Sequence, residues 1–284
     1  MEVLEGVITQ SLILGIMVLG IYISYRILDF PDLSVDGSFA LGGAVIAISL
    51  KYGISPVVGS LFSLIAGMLA GLFTGILHVK LKVSNLLSGI LVMLALYSIN
   101  LRIMGRANIP LFNEKHLFKI DISPLIISIS IILIMKILID KFFQTGIGYT
   151  LKAVGDNPQM VKSLGIEIGK IKILGLMLSN GLVCFSGNIM AQYQGFSDVS
   201  MGIGSLILGI ASIVIGKSLF ERINFLKETS VIIIGTILYQ IVILLAFNLG
   251  LKATDIKFIT SFVIILFFTI DKFKSQITSR QVSL

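Results

Sequence analysis

The sequence predicts an all-α integral membrane protein of about nine hydrophobic segments, two of them short interrupted helices, arranged as an inverted repeat. Three observations predict it. Hydrophobic residues make up 56% of the 284 and charged residues only 13%, where soluble chains carry about 25% charge. Apolar runs near the length of one bilayer crossing, roughly 20 residues, follow one another through short polar connections and leave no room for a separate soluble domain. Two runs, 39–50 and 205–215, are too short to cross alone, and each follows a polar stretch containing glycine.

In chain order the runs fall at 4–25, 39–50, 57–77, 86–102, 122–139, 171–191, 205–215, 229–249 and 256–270. The start, with Glu2 and Glu5, lacks the basic region of a signal peptide, so the first run is expected to stay as a span. Nine segments put the termini on opposite sides. With 140–169 and the tail after 271 inside, the inner side collects 15 of the 22 Lys and Arg residues. The positive-inside rule then places the N-terminus outside and the C-terminus in the cytoplasm, as a multi-pass protein of a bacterial plasma membrane. The net charge of +7 is therefore read as topology and contact with anionic lipid, not nucleic acid. The single cysteine, Cys184, and two distant histidines, His78 and His116, predict no metal site.

The halves echo each other. Asp32-Leu33-Ser34-Val35 resembles Asp198-Val199-Ser200-Met201, and Ile13-Leu14-Gly15-Ile16-Met17 resembles Ile173-Leu174-Gly175-Leu176-Met177. The first copy enters from outside and the second from inside, as an inverted repeat requires. This divides the single membrane domain into a first repeat (1–139), a connecting loop (140–170) and a second repeat with its tail (171–284). Interrupted helices survive in lipid only where protein or a watery cavity satisfies the freed backbone groups, so both breaks should face the interior.

Polar residues near the breaks are the candidates for a translocation path: Ser34, Asp36, Ser38, Asn180, Asn188, Gln192 and Ser200. Asp36 is expected to cap the half-helix that follows it, whose positive end is also suited to an anionic group. Asn180, Cys184 and Asn188 are spaced by four and share one helix face, which serves either close helix packing or a solute path.

The polar loop 148–165 carries the clearest local signal. Asn157 before Pro158 reads as an N-cap with proline in the first helical position, opening a helix through Met160, Val161 and Leu164 that stops at Gly165. Such a helix either covers the bundle or docks a partner. Lys152-Ala153, Asp156-Asn157 and Ser163-Leu164-Gly165-Ile166 resemble the cytoplasmic coupling loop of bacterial ABC importer permeases of the branched-chain amino acid superfamily. Leu33-Ser34-Val35-Asp36-Gly37-Ser38-Phe39, with Gly42-Gly43-Ala44, resembles the N-terminal signature of the tryptophan/tyrosine-type branch.

This resemblance implies a type II ABC importer permease-like fold and a dimer, expected to be a homodimer, with a second permease subunit. It implies two cytoplasmic ABC ATPase subunits that bind ATP and Mg, and an extracellular substrate-binding protein or lipoprotein. Asp156, Asn157, Pro158, Met160, Val161, Leu164 and Gly165 would couple to the ATPase, and Arg106, Glu114 and Lys115 of the outer segment 105–121 would dock the binding protein. The solute would be an amino acid, aromatic first and branched-chain second. The chain itself should be no enzyme and hold no cofactor: residues 211–218, ASIVIGKS, have Ala where a phosphate-binding loop begins with Gly, and lie in an apolar run. A secondary transporter with inverted repeats is the alternative, set lower because the span centres carry no Asp or Glu. A membrane enzyme ranks below both.

Overall fold

The computed structural model describes residues 2–119, 121–220 and 226–251, together with 258, 260–262, 265 and 269. The ninth predicted run, 256–270, falls mostly outside the described residues. Helix α1 (Glu2–Ile21) continues into a π-helical turn (Tyr22–Ile27) and is followed by α2 (Ser34–Lys51), α3 (Pro56–Val79), α4 (Asn85–Met104) and α5 (Pro124–Phe143). Two short helices, α6 (Gly146–Asp156) and α7 (Pro158–Ser163), lead to α8 (Ile168–Gln194), α9 (Ser205–Phe220) and α10 (Glu228–Asn248). Among the described residues, α1, α2, α3, α4, α8 and α10 are long and apolar enough to cross a membrane. The chain is thus a multi-pass, helical membrane protein. Serines 55, 84 and 123 accept hydrogen bonds from the first turns of α3, α4 and α5, and Pro56 and Pro124 occupy positions where no N–H is needed.

Contacts fix the relative directions of α1, α2, α3 and α8. The Ser179 and Ser186 hydroxyls donate to the Gly20 and Ile13 carbonyls, and Tyr193 donates to Gly6, so α1 and α8 run antiparallel. Gly67 and Gly71 of α3 lie against Asn180 and Leu176, an antiparallel crossing, while Ser38 and Gly42 of α2 meet Asn180 and Cys184, a parallel one. Helix α8 is therefore the axle, with α1, α2 and α3 packed around it. The corresponding helices of the two halves, α1 and α8, point in opposite directions, as the sequence echo requires.

The axle is gripped closely because small residues line its contacts. A Cβ on Gly42 would stand 1.8 Å from the Cys184 carbonyl oxygen, and one on Gly187 would stand 1.9 Å from the Phe39 carbonyl oxygen. Between apolar helices in lipid, close backbone approach of this kind supplies the packing energy that water-driven burial supplies elsewhere.

One boundary differs from expectation. Helix α2 begins at Ser34, not Phe39, and takes in the polar turn Ser34-Val35-Asp36-Gly37-Ser38. It still starts inside the bundle, beside Asn180 at the middle of the 27-residue α8. The alternation of directions puts segment 105–121, the paired strands β1 (Asn108–Pro110) and β2 (Phe196–Asp198), and the end of α8 at one end of the bundle. Helices α6 and α7 lie at the other end.

Gly42→Ala is expected to lower the apparent melting temperature sharply and broaden the size-exclusion peak in detergent, from overpacking of about 1–3 kcal/mol or more. Gly146→Ala, whose added Cβ meets nothing within 4 Å, should leave both unchanged. A Gly42→Ala protein as stable as the parent would refute the close crossing of α2 and α8.

Candidate functional site

Two helices start within the bundle, wholly buried at α2 and partly buried at α9, and the first backbone N–H groups of each take acceptors from the chain itself. At α2 the partner is Asp32, a wholly buried residue. Its Oδ1 accepts from the Ser34 amide at 2.9 Å and the Ser34 hydroxyl at 2.6 Å, and its Oδ2 accepts from Asn180 Nδ2 at 2.8 Å. Asn180 Oδ1 in turn accepts from the Ser38 hydroxyl at 2.6 Å, and Thr74 of α3 donates to the Ser34 oxygen at 3.1 Å. One network thus ties the first break to α3 and to the axle of the second half.

At α9 the partner is Asp36. Its carboxylate accepts from the Gly204 amide at 2.9 Å and the Leu206 amide at 3.0 Å. Asp36 therefore caps the helix of the opposite half, a correction to the expectation that it caps its own; Asp32 does that. Neither N-terminus is left open to an anionic solute in this conformation, since the chain's own carboxylates occupy both. The first break dips to the depth of Asn180, so the acids that the sequence places at the breaks lie inside the bundle, engaged as caps.

The repeat is legible in the hydrogen bonds. Asp198 Oδ1 accepts from the Ser200 amide at 2.8 Å and from its hydroxyl, reproducing the Asp32–Ser34 turn. Here the turn lies five residues short of α9, in an exposed loop, so it caps nothing and Asp36 is needed instead. Ser200 is exposed on this loop. The Ser200 hydroxyl and amide hold the Asp198 carboxyl below the usual carboxylate range, so this turn persists as pH falls until that lowered value is crossed.

Further along α8, the Leu117 amide donates to Gln192 Oε1 at 3.0 Å, and Gln192 Nε2 donates to Asn188 Oδ1 at 2.8 Å. Ser34, Ser38, Asn180, Asn188 and Gln192 are all wholly buried within one chain. In this conformation they join helices, the packing use of this face that the spacing also allowed. Arg106 and Lys115 are exposed and Glu114 is half-buried on the segment held by the β1–β2 pair.

At the opposite end, Asn157 Oδ1 accepts from the Met160 amide at 3.0 Å and Gly165 takes φ +77°, as the cap and stop predicted. Val161 is buried, 1% exposed, whereas Met160 and Leu164 are 59% and 66% exposed. The three apolar residues thus divide: one anchors α7 and two face outward. Asp156, Asn157, Pro158 and Gly165 are exposed beside them. Helix α6 was missed by sequence reasoning because three of its eleven residues are Gly. The spacing of Ile147, Leu151 and Val154, with Thr145 as N-cap, was the available signal. Leu151 and Val154 are buried, and a Cβ on Gly155 would stand 1.6 Å from the Ile27 carbonyl oxygen, so α6 rests directly on the end of α1. Residues 211–218 lie within helix α9, where no phosphate-cradling loop exists.

Residues 3–270 match the model of a family described as branched-chain amino acid transport system / permease component. A tyrosine transport system permease protein of Clostridioides difficile is 62% identical over 92% of this chain and 89% of its own length. An uncharacterized protein of Rickettsia prowazekii is 34% identical over 97% of this chain and 99% of its own length. A probable branched-chain amino acid transport permease protein, LivH, of Methanocaldococcus jannaschii is 26% identical over 72% of this chain and 70% of its own length.

Asp32→Ala and Asn180→Ala should each lower the stability of the purified chain, and the double substitution should cost less than their sum, with a coupling of about 0.5–3 kcal/mol. Additive losses in that double-mutant cycle would show that the two residues do not share a network.

Proposed function

The chain belongs to the family of permease components of branched-chain amino acid transport systems, and from that premise we propose that it is the membrane subunit of an ATP-driven importer of tyrosine. The observation that carries this reading is the divided α7: Val161 is sunk into the bundle while Met160 and Leu164 present apolar side chains outward beside a capped, polar turn. An outward apolar pair at the end of a bundle suits a groove in a partner protein, here an ATPase subunit that supplies the ATP and Mg chemistry the permease lacks.

Force on α7 has a short route inward. It passes to α6, which abuts the Ile27 carbonyl, then to the break at 28–33, and so to Asp32 and Asp36 where the two helix starts are held. Alternating access would follow if clamping of two ATPases moved the α6–α7 pairs of a homodimer and shifted these caps. A binding protein outside would dock on the end carrying Arg106, Glu114 and Lys115 and deliver the solute. The N-terminus would lie outside and the C-terminus in the cytoplasm. Tyrosine is assigned from the 62% identity to the C. difficile permease, with other aromatic amino acids next and branched-chain ones after them.

Met160→Asp combined with Leu164→Asp is expected to cut co-purification with the cognate ATPase at least tenfold and to abolish tyrosine uptake, with the apparent melting temperature unchanged because both positions are exposed. Undiminished ATPase capture would sink the coupling role. In competition against labelled tyrosine uptake, unlabelled tyrosine should act at the lowest concentration. Stronger competition by leucine or valine would overturn the aromatic assignment while leaving the coupling role intact.

A further inference from the structure

Between α3 and α5 the bundle carries a cleft of about 230 Å³ whose lining is wholly apolar. Ile23 of the π-helical turn and Leu178 and Leu182 of α8 form the floor, Met68 of α3 one wall, and Met135 and Phe142 of α5 the other. Gly181 deepens the floor, because any side chain there would meet Met68. Water has no polar partner in such a space, and a void forfeits the contacts of every residue around it. The methionines and the Phe142 ring make walls that adapt to a flexible guest.

The position of the cleft selects the guest. Its walls continue without interruption into exposed apolar faces: Ile65 and Leu69 on α3 are 52% and 49% exposed, and Ile134 and Ile137 on α5 are 58% and 51% exposed. In a membrane protein these faces meet hydrocarbon, so the cleft opens sideways into the bilayer. Leu138, itself 55% exposed, lines the mouth, and Lys141, three residues further along and on the same helical face, is exposed at the α6–α7 end. Among the described residues no ion pair engages Lys141. That end of the bundle also carries Lys80, Lys82, Lys152 and Lys162, so a second copy would bring like charge to the mouth, whereas a phospholipid brings hydrocarbon and an anion in one molecule. Thr260 meets not the cleft but Tyr239, with their hydroxyl oxygens 2.7 Å apart against the α9–α10 layer.

We propose that the α3–α5 cleft is a lipid site, holding one acyl chain of a bilayer phospholipid whose phosphate is met by Lys141. The absence of tryptophan from the sequence makes the test direct. Leu178→Trp on the floor and Met135→Trp on a wall each introduce a single fluorophore, and Leu69→Trp gives a reference on the open face. Each full-length variant is reconstituted in vesicles of phosphatidylcholine with increasing fractions of phospholipid brominated on its acyl chains. The cleft fluorophores should be quenched at least as strongly as the reference. Brominated phosphatidylglycerol should reach half-quenching at a mole fraction about fivefold lower than brominated phosphatidylcholine. Lys141→Gln should erase that preference without changing the reference. Cleft fluorophores that stay bright while the reference is quenched would overturn the site, and indicate a second copy or another part of the chain in its place. Quenching with equal response to the two lipids would overturn the assignment of Lys141.

Discussion

Backbone N–H groups in hydrocarbon must find acceptors inside the protein, and this constraint governs the bundle. Most of the chain meets it with unbroken helices. Helices α2 and α9 start within the bundle instead, and their first amides need acceptors supplied by the chain. The acceptors are two carboxylates four residues apart, Asp32 for α2 and Asp36 for α9. Because Asp36 belongs to one half and α9 to the other, the two halves cannot separate without stranding amides. Asn180, which donates to Asp32 and accepts from Ser38, draws the axle into the same arrangement. The close crossings at Gly42 and Gly187 bring α2 and α8 near enough for these short polar side chains to reach.

The two halves are alike in motif and unlike in use. The Asp–Ser turn occurs in both, but in the first half the helix starts on the turn and in the second it starts five residues later. Phe196–Asp198, just ahead of the second turn, pairs with Asn108–Pro110, so the loop between α4 and α5 is fixed over the end of α8. The added length after the turn carries the α9 start away from its own acid, and the acid that caps it comes from the other half.

Much of this was legible in the sequence, for identifiable reasons. Runs of apolar residues set the helices to within a few residues, since capping serines and prolines mark the same boundaries. The Asn157–Pro158 cap and the Gly165 stop are local devices, and local devices can be read one-dimensionally. The direction of α8 against α1 followed from the echo between the halves. What failed were matters of tertiary partnership. Asp36 looked like the cap of its own helix because it sits in the first turn, and nothing local reveals that Gly204 and Leu206 lie beside it. The shared face of Asn180 and Asn188 left helix packing and a solute path both open, because a shared face does not say whether a helix or a solute lies opposite. Helix α6 was hidden by its glycines, which weaken propensity and are present because α6 must approach the Ile27 carbonyl.

That approach gives the α6–α7 end of the bundle a mechanical property the opposite end lacks. At the opposite end the β1–β2 ladder and the Leu117–Gln192 bond tie loop to helix through directional hydrogen bonds. At the α6–α7 end α6 meets the π-helical turn that continues α1 by direct backbone contact, where the helical ladder is already loosened. Displacement of α6 is therefore resisted by contact and passed on at the point where α1 yields most easily. The residues immediately beyond that turn are the break 28–33, with Asp29 already in the left-handed region at φ +51°. Bending concentrated ahead of Asp32 would move Asp32 and Asp36 together, since the Asp32–Ser34 turn ties Asp32 to the start of the helix that carries Asp36. A motion of the α6–α7 end would thus reach both central caps through a few residues, while the opposite end is held by its ladder.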